Sequence, residues 1–430
     1  MTNHSAITVM RKRKGYTGLF MAGIVNGIGD RFSQVAMLSL ILAMTGSGID
    51  VGITMGIRIL PFLLLAPIGG MLAVKLPRKA ILLTTDLLRV PVALSYLFVH
   101  SAEDIWILIA GSFILAAGEA VYAPVRKSAI PLLVKRDELM AVNGLEQALT
   151  GCVLLIGAIA GGAVSFWLGP EWSFVLNAVS FLITAGIVSR IDFSPVEITS
   201  GPEQEESRVQ SSVPAVPGKW RDLAALFTAS LPLQVVLGFE LLVPMFNGID
   251  NVLISVYAVQ EYHAGDLGVG LLYGAIGIGL TLSLLAGHLA GASVLAGALG
   301  GLLIEGLMLI CISAAPEFWI AFALYIPLTL AGGFGNACLD TLMMRELPQS
   351  QQGPVFGLLS AISNALLGCS MLAAGWLLEW FDPRTIGRFG GGAYIVISLL
   401  LMLYLWLGGI FRGRRKANVD SFKLKREVRP

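Results

Sequence analysis

Charge is what this sequence has least of. Asp, Glu, Lys and Arg make up 13% of its 430 residues, about half the roughly 25% of an ordinary soluble protein, so the solvated surface of a water-soluble globule is missing. Acidic and basic residues nearly cancel at a net +1, which leaves no basic face for a nucleic acid. Cysteine and histidine are equally sparse, with four of each. Cys152, Cys311, Cys338 and Cys369 stand apart in apolar runs without CxxC spacing or a histidine neighbour. That excludes a disulfide scaffold and argues against a metal site. No G-x-x-x-x-G-K-[ST] segment occurs, so no nucleoside triphosphate is expected to be held, and no cofactor is expected.

Apolar residues are abundant instead, at 56% of the chain with a mean hydropathy of +0.78. A helix needs about 20 apolar residues to cross a hydrocarbon core. Uncharged runs such as Gln147–Pro170, Leu347–Leu378 and Phe389–Phe411 supply that length. None shows the alternation of a membrane β-barrel strand. The pattern predicts an all-α membrane protein with twelve transmembrane helices, near 17–44, 51–74, 80–99, 105–125, 139–165, 172–190, 231–258, 267–288, 293–313, 317–340, 354–378 and 389–411. Gly291 and Ala292 mark a tight turn between two of them. Residues 1–14 are polar and end in Arg11-Lys12-Arg13-Lys14, and the apolar run that follows is too long for a signal-peptide core.

The basic residues set an orientation. Of the 29 lysines and arginines, 24 fall in the tails and the loops of one side, two in the opposite loops and three inside helices. By the positive-inside rule both termini are cytoplasmic, in a multi-pass protein of the cell membrane. Between Phe193 and Asp222 the chain turns polar, with Pro195, Pro202, Pro214 and Pro217 beside Glu203, Glu205 and Glu206, the composition of a solvated linker. Three parts are therefore expected: an N-terminal six-helix bundle over 1–192, a linker over 193–222 and a C-terminal six-helix bundle over 223–430. A faint repeat at an offset of 213 (Val142-x-Gly144-Leu145 against Val355-x-Gly357-Leu358) relates the halves.

Four segments stand out: Gly29-Asp30-Arg31-Phe32, Thr45-Gly46-Ser47, Asp86-Leu87-Leu88-Arg89 and Ala123-Pro124-Val125-Arg126-Lys127-Ser128-Ala129-Ile130-Pro131-Leu132-Leu133-Val134 with the following Asp137-Glu138-Leu139-Met140-Ala141-Val142-Asn143-Gly144. Together, and the last most closely, they resemble the macrolide-efflux-like branch of the major facilitator superfamily. Weaker similarity continues through Gly353-Pro354-Val355-Phe356-Gly357. The resemblance implies two pseudo-symmetric six-helix bundles and a secondary transporter, in many members a drug or siderophore exporter driven by protons. Two motif positions depart from the superfamily. Val74 stands where the loop after helix two carries an acid, and Ala158 stands where antiporters carry a proline in helix five.

Ionisable residues inside spans are costly and mark substrate or ion pathways. Asp30 lies about 14 residues into helix one and Glu119 about 14 residues into helix four from the other side, roughly 20 Å deep in each case. Both are candidates for proton coupling; alternatively Asp30 pairs with Arg31 or Arg58 as a structural strut. Asn26, Arg58, Glu240, Asn247 and Asn251 are candidates for lining a substrate cavity, the last three sharing one face of helix seven. Arg31, Asp86, Arg89, Glu146 and Arg78 are candidates for gating or structural charge, with Asp86 and Arg89 paired at an i,i+3 spacing. Asp250 lies beside the helix-seven stripe, and Glu305 falls in a helix expected to be peripheral.

The expected partners are a small-molecule substrate, protons and the lipid bilayer, with a monomer sufficing. The reading is a secondary active transporter, with efflux of amphipathic small molecules by alternating access. Alternatives are a lipid or lysolipid flippase or an uptake transporter on the same fold, and lastly a membrane-embedded transferase, for which the loops offer no His/Asp cluster. An enzyme is not expected.

Overall fold

The computed structural model describes residues 6–45, 54, 56–193, 227–228, 230–290 and 294–427. The expected linker lies outside them apart from Phe193, as does the turn expected at Gly291 and Ala292. All regular structure among the described residues is helical. In chain order the α-helices are α1 (Ala6–Lys12), α2 (Lys14–Thr45), α3 (Ile59–Lys75), α4 (Arg78–Ser95), α5 (Ile105–Leu133), α6 (Leu139–Leu168) and α7 (Pro170–Ser189). They continue as α8 (Leu231–Leu242), α9 (Pro244–Val256), α10 (Gly265–Leu282), α11 (Val294–Ser313), α12 (Phe318–Glu346), α13 (Gln349–Leu377) and α14 (Pro383–Glu427).

Ten helical segments among the described residues are long and apolar enough to cross a membrane, α8 and α9 counting as one. The helices α2 and α3 fall outside that count. The first carries Asn26, Asp30, Arg31 and Gln34 midway. The second has 17 residues, about 25 Å at 1.5 Å per residue, just short of a 30 Å core. Several helices run one to two turns past the ends that hydropathy marks. In α5 this places Arg126 and Lys127 on the helix rather than in a loop. In α12 and α13 it brings Arg345 and Gln349 into helical turns. Charges there end an apolar run without ending the helix.

Breaks follow local chemistry. Gly169 takes φ +94° between α6 and α7, a conformation that side chains resist, and Pro170 opens α7 at a position where its missing N–H costs nothing. Pro244 opens α9 in the same way, so the seventh span is two segments. Beyond it, Tyr257–Glu261 form a π-turn.

In the N-terminal half α2 packs against α6 and α7, and α4 against α5 and α7. In the C-terminal half α11 packs against α12 and α14, and α9 against α13. The halves meet chiefly through α3 with α13 and α6 with α10. Glycine permits the first of these contacts. A Cβ on Gly70 would collide with the Gly353 carbonyl oxygen, and one on Gly357 with that of Ala66. One end of the bundle gathers the basic residues, tied together by Arg13 with Glu138, Lys79 with the Ile191 carbonyl and Arg136 with the Arg345 carbonyl; it is termed the basic face below. Trp106, Trp167, Trp172, Trp319, Trp376 and Trp380 ring the opposite end, each more than half exposed. Indole rings favour such a position at the headgroup level of a bilayer.

At Gly70 the α3–α13 contact is with backbone, the Gly353 carbonyl and Pro354 Cα, so no side chain there can yield. Gly70→Val is expected to destabilise the protein by about 1–3 kcal/mol, read as a lower melting temperature in detergent. Gly162→Val, where a Cβ meets nothing within 4 Å, is expected to leave it unchanged.

Candidate functional site

Three helices of the N-terminal half converge on one guanidinium. Arg89 sits 11 residues into α4, about 16 Å above the basic face, while Asp30 of α2 and Glu119 of α5 lie about 21–24 Å above it. The long arginine side chain rises to meet both. Its Nη2 is 2.9 Å from Asp30 Oδ2 and 3.1 Å from Glu119 Oε2. Arg89 is almost fully buried, while the Asp30 and Glu119 side chains keep 23% and 34% of their surface open. The cation is thus sealed in protein while the two acids border a space that a ligand or water can enter. Phe181 of α7 lies under the guanidinium at 4.5 Å, a cation–π contact that stabilises a desolvated arginine. Gly118 makes the room, since a Cβ there would come within 2.9 Å of Arg89 Cδ.

One turn below, Asp86 is fully buried. Its Oδ1 accepts a hydrogen bond of 3.1 Å from Asn26 Nδ2, and Oδ2 has no partner among the described residues, nor have Nε and Nη1 of Arg89. The i,i+3 neighbours Asp86 and Arg89 therefore point their bonds elsewhere, one to Asn26 and the other to the acids of α2 and α5. Asp30 in turn takes neither Arg31 nor Arg58 as its ion-pair partner. Arg31 donates from Nη1 to Gln34 Oε1 at 2.8 Å. Arg58, half-buried at the start of α3, makes no ion pair among the described residues.

A second charged layer lies nearer the basic face. Glu146 of α6 takes both terminal nitrogens of Arg126, at 2.5 and 3.2 Å, and accepts a hydrogen bond from the Tyr16 hydroxyl at 3.0 Å. This brace is internal to the N-terminal half. Arg78 donates to Ser128 Oγ at 3.2 Å. The polar contacts between halves are others. Lys127 Nζ is 2.5 Å from Asp340 Oδ1 and 5.0 Å above the ring of Phe356. Asn143 Nδ2 donates to Thr341 Oγ1 at 2.9 Å, and Arg136 Nη2 to the Arg345 carbonyl at 2.5 Å. Asp340 escapes sequence reasoning because it sits at the edge of an apolar run, where an acid reads as ordinary interface polarity.

The helix-seven stripe is divided at Pro244, with Glu240 on α8 and Asn247 and Asn251 on α9. Glu240 on α8 accepts from Ser363 Oγ of α13 at 2.7 Å. On α9, Asn251 Nδ2 donates to Asn247, to its carbonyl at 2.9 Å and its side-chain oxygen at 3.0 Å. Glu305 lies between α11 and α12, where Gly332 leaves room: a Cβ there would be 2.9 Å from Glu305 Oε1. The side chain of Ala158 lies outside the described residues. Among the described residues, no group of three or more His, Cys, Asp or Glu could hold a metal ion.

A helical bundle in two packed halves, with a single buried cation shared by acids at mid-depth, is the architecture of a membrane transporter. The family model for the Major Facilitator Superfamily matches residues 19–366, and the chain belongs to that superfamily. It is similar to the enterobactin exporter EntS of Salmonella paratyphi A, at 24% identity over 96% of this chain and 97% of that protein. It is also similar to macrolide efflux protein A of Streptococcus pyogenes, at 25% identity over 62% of this chain and 67% of that protein. Among solved structures, the human organic anion transporter MFSD10 superposes with a TM-score of 0.73 at 14% identity, covering 90% of this chain and 99% of that one.

Removing the shared cation leaves two acids facing each other without a counter-ion. Arg89→Ala is expected to cost about 3 kcal/mol of stability. Arg89→Lys, which keeps the charge but loses the planar fork, is expected to cost less. Thermal unfolding of the two variants beside the parent checks the order.

Proposed function

We propose that this chain is a proton-coupled secondary transporter that exports amphipathic small molecules by alternating access. In this reading it crosses the cell membrane twelve times as a monomer. Its two bundles are 1–192 and 223–430, joined by a cytoplasmic linker over 193–222, and both termini are cytoplasmic. The observation that carries the reading is Arg89 held between Asp30 and Glu119, both acids partly exposed while the arginine is buried.

Two carboxylates (Asp30 and Glu119) share one guanidinium, which stays protonated under all ordinary conditions, and a third, Asp86, lies a turn below. Excess negative charge in a low-dielectric site is costly, and either a proton or a cationic ligand relieves it. Substrate and proton then compete for the same acids. When Asp30 or Glu119 takes a proton, Arg89 turns wholly to the other acid, the cleft loses one negative charge and a cationic amphipath is released. Loss of the proton on the opposite side of the membrane restores the site. The similarity to the enterobactin exporter and macrolide efflux protein A supports export as the direction.

In proteoliposomes with an imposed pH gradient, Asp30→Asn and Glu119→Gln are each expected to lose accumulation of a cationic dye such as ethidium while still equilibrating it. Uphill transport unchanged in both variants would move the coupling elsewhere, with Glu240, Asn247 and Asn251 the next candidates.

Alternating access requires the contacts at the basic face to open. An ion pair with only its lysine end partly exposed is taken at about 1 kcal/mol, so Lys127→Gln is expected to raise the population open at that face about fivefold. The labelling rate of a cysteine placed at the buried Met344, in a background free of other cysteines, reports it. An unchanged rate would remove Lys127 and Asp340 from the gate.

A further inference from the structure

An open groove lies not at the charged cluster but on the outer side of the N-terminal half, between the basic ends of α2 and α7. Its volume is about 610 Å³. Its walls are apolar and low, formed by Gly18 of α2 and by Ile183, Gly186 and Ile187 of α7. A Cβ on Gly186 would meet nothing within 4 Å. At the mouth stand Lys14 and Arg190, both exposed and neither with its side chain in an ion pair or hydrogen bond among the described residues. Asp192 also reaches the mouth and is engaged in an interaction of its own. Lys79 Nζ donates to the Ile191 carbonyl at 3.0 Å, which fixes the end of α7 and with it the position of Arg190.

The depth of this groove matches its chemistry. From Arg190 to Ile183 is seven residues, about 10 Å along the helix. Two cations thus sit at the level where the spans leave the hydrocarbon, and an open apolar trough runs about 10 Å inward from them. Leu182 and Ile183 beside it are about half exposed, as residues facing lipid are. A water-soluble anion would use the cations and leave the trough empty. A zwitterionic phospholipid would fill the trough but bring a cation of its own beside Lys14 and Arg190. Only an anionic phospholipid uses both parts, with its phosphate between Lys14 and Arg190 and the upper part of an acyl chain along Gly18 and Gly186. Basic pockets between spans recognise lipids in this way.

We propose that the groove between α2 and α7 is a binding site for an anionic phospholipid of the leaflet at the basic face. It lies apart from Asp30, Arg89 and Glu119, and it rests on the chain being embedded in a bilayer rather than on any transported substrate. An occupant there spans the two helices that carry Asp30 and Phe181, so it braces the half that holds the charged cluster.

The test uses the full-length protein in nanodiscs of phosphatidylcholine, alone or with increasing phosphatidylglycerol, with melting temperature as the readout. Phosphatidylglycerol is expected to raise the melting temperature of the parent. Two cations at about 1 kcal/mol each set the expected loss in Lys14→Gln/Arg190→Gln at about 30-fold in the phosphatidylglycerol fraction giving half the shift. These side chains are exposed, so the variant is expected to melt with the parent in phosphatidylcholine alone. Gly186→Leu, which fills the trough and keeps both charges, is expected to lose the shift too; should it fail to fold, the charge variant decides. Lys75→Gln/Lys135→Gln, which removes two exposed charges elsewhere on the same face, is expected to keep it. The proposal is overturned if Lys14→Gln/Arg190→Gln keeps the full shift, if the Lys75/Lys135 variant loses as much, or if soluble glycerol 3-phosphate reproduces the shift.

Discussion

A bilayer interior supplies neither counter-ions nor water, so each charge placed in a span must find its partner within the protein. That constraint explains why the centre of this molecule looks as it does. Arg89 cannot shed its proton and cannot reach water, and its answer is a socket assembled from four helices: Asp30 from α2, Glu119 from α5, Phe181 from α7 and its own α4. Gly118 is the concession that α5 makes to its methylenes. Asp86, a turn away, is matched by Asn26 rather than by a second cation. The N-terminal half is held in register by this cluster and by the Arg126, Glu146 and Tyr16 brace nearer the basic face.

Between the halves the physics differs. The closest points of the contact of α3 with α13, at Gly70 and Gly357, set glycines against backbone carbonyl groups. Small-residue faces of this kind let helices approach closely while gaining little that is specific to one angle. Several side chains that bridge the halves, among them Lys127 to Asp340 and Asn143 to Thr341, lie towards the basic face, while Cys152 and Thr281 meet deeper, at 3.8 Å. A smooth axis and a polar clasp at one end are the parts that a rocking motion uses.

Much of this was legible in the sequence. Scarce charge and long apolar runs announce a helical membrane protein, and the segment around Ala123–Val134 carries the family. Asp30 and Glu119 stand out because acids in apolar runs are rare. What could not be read was pairing. Spacing makes Asp86 and Arg89 neighbours, but a side chain as long as arginine reaches acids a full turn higher on other helices, and only tertiary depth decides between them. Helix ends were misjudged for a related reason: hydropathy marks where charge begins, whereas α5 continues through Lys127, which joins the halves, and α12 through Arg345. Glu305 made no sense in the sequence because its room is provided by a glycine on another helix, Gly332.

The claim at the centre of the account is that the acids around Arg89 exchange a proton for a substrate. It is tested most directly by counting protons in unbuffered detergent solution with a pH indicator as ethidium is added. The account predicts that binding releases protons from the parent protein and that the release disappears in the combined Asp30→Asn/Glu119→Gln variant. Ethidium bound by the parent with no proton released at any pH between 5 and 8, or release undiminished in the variant, would contradict it.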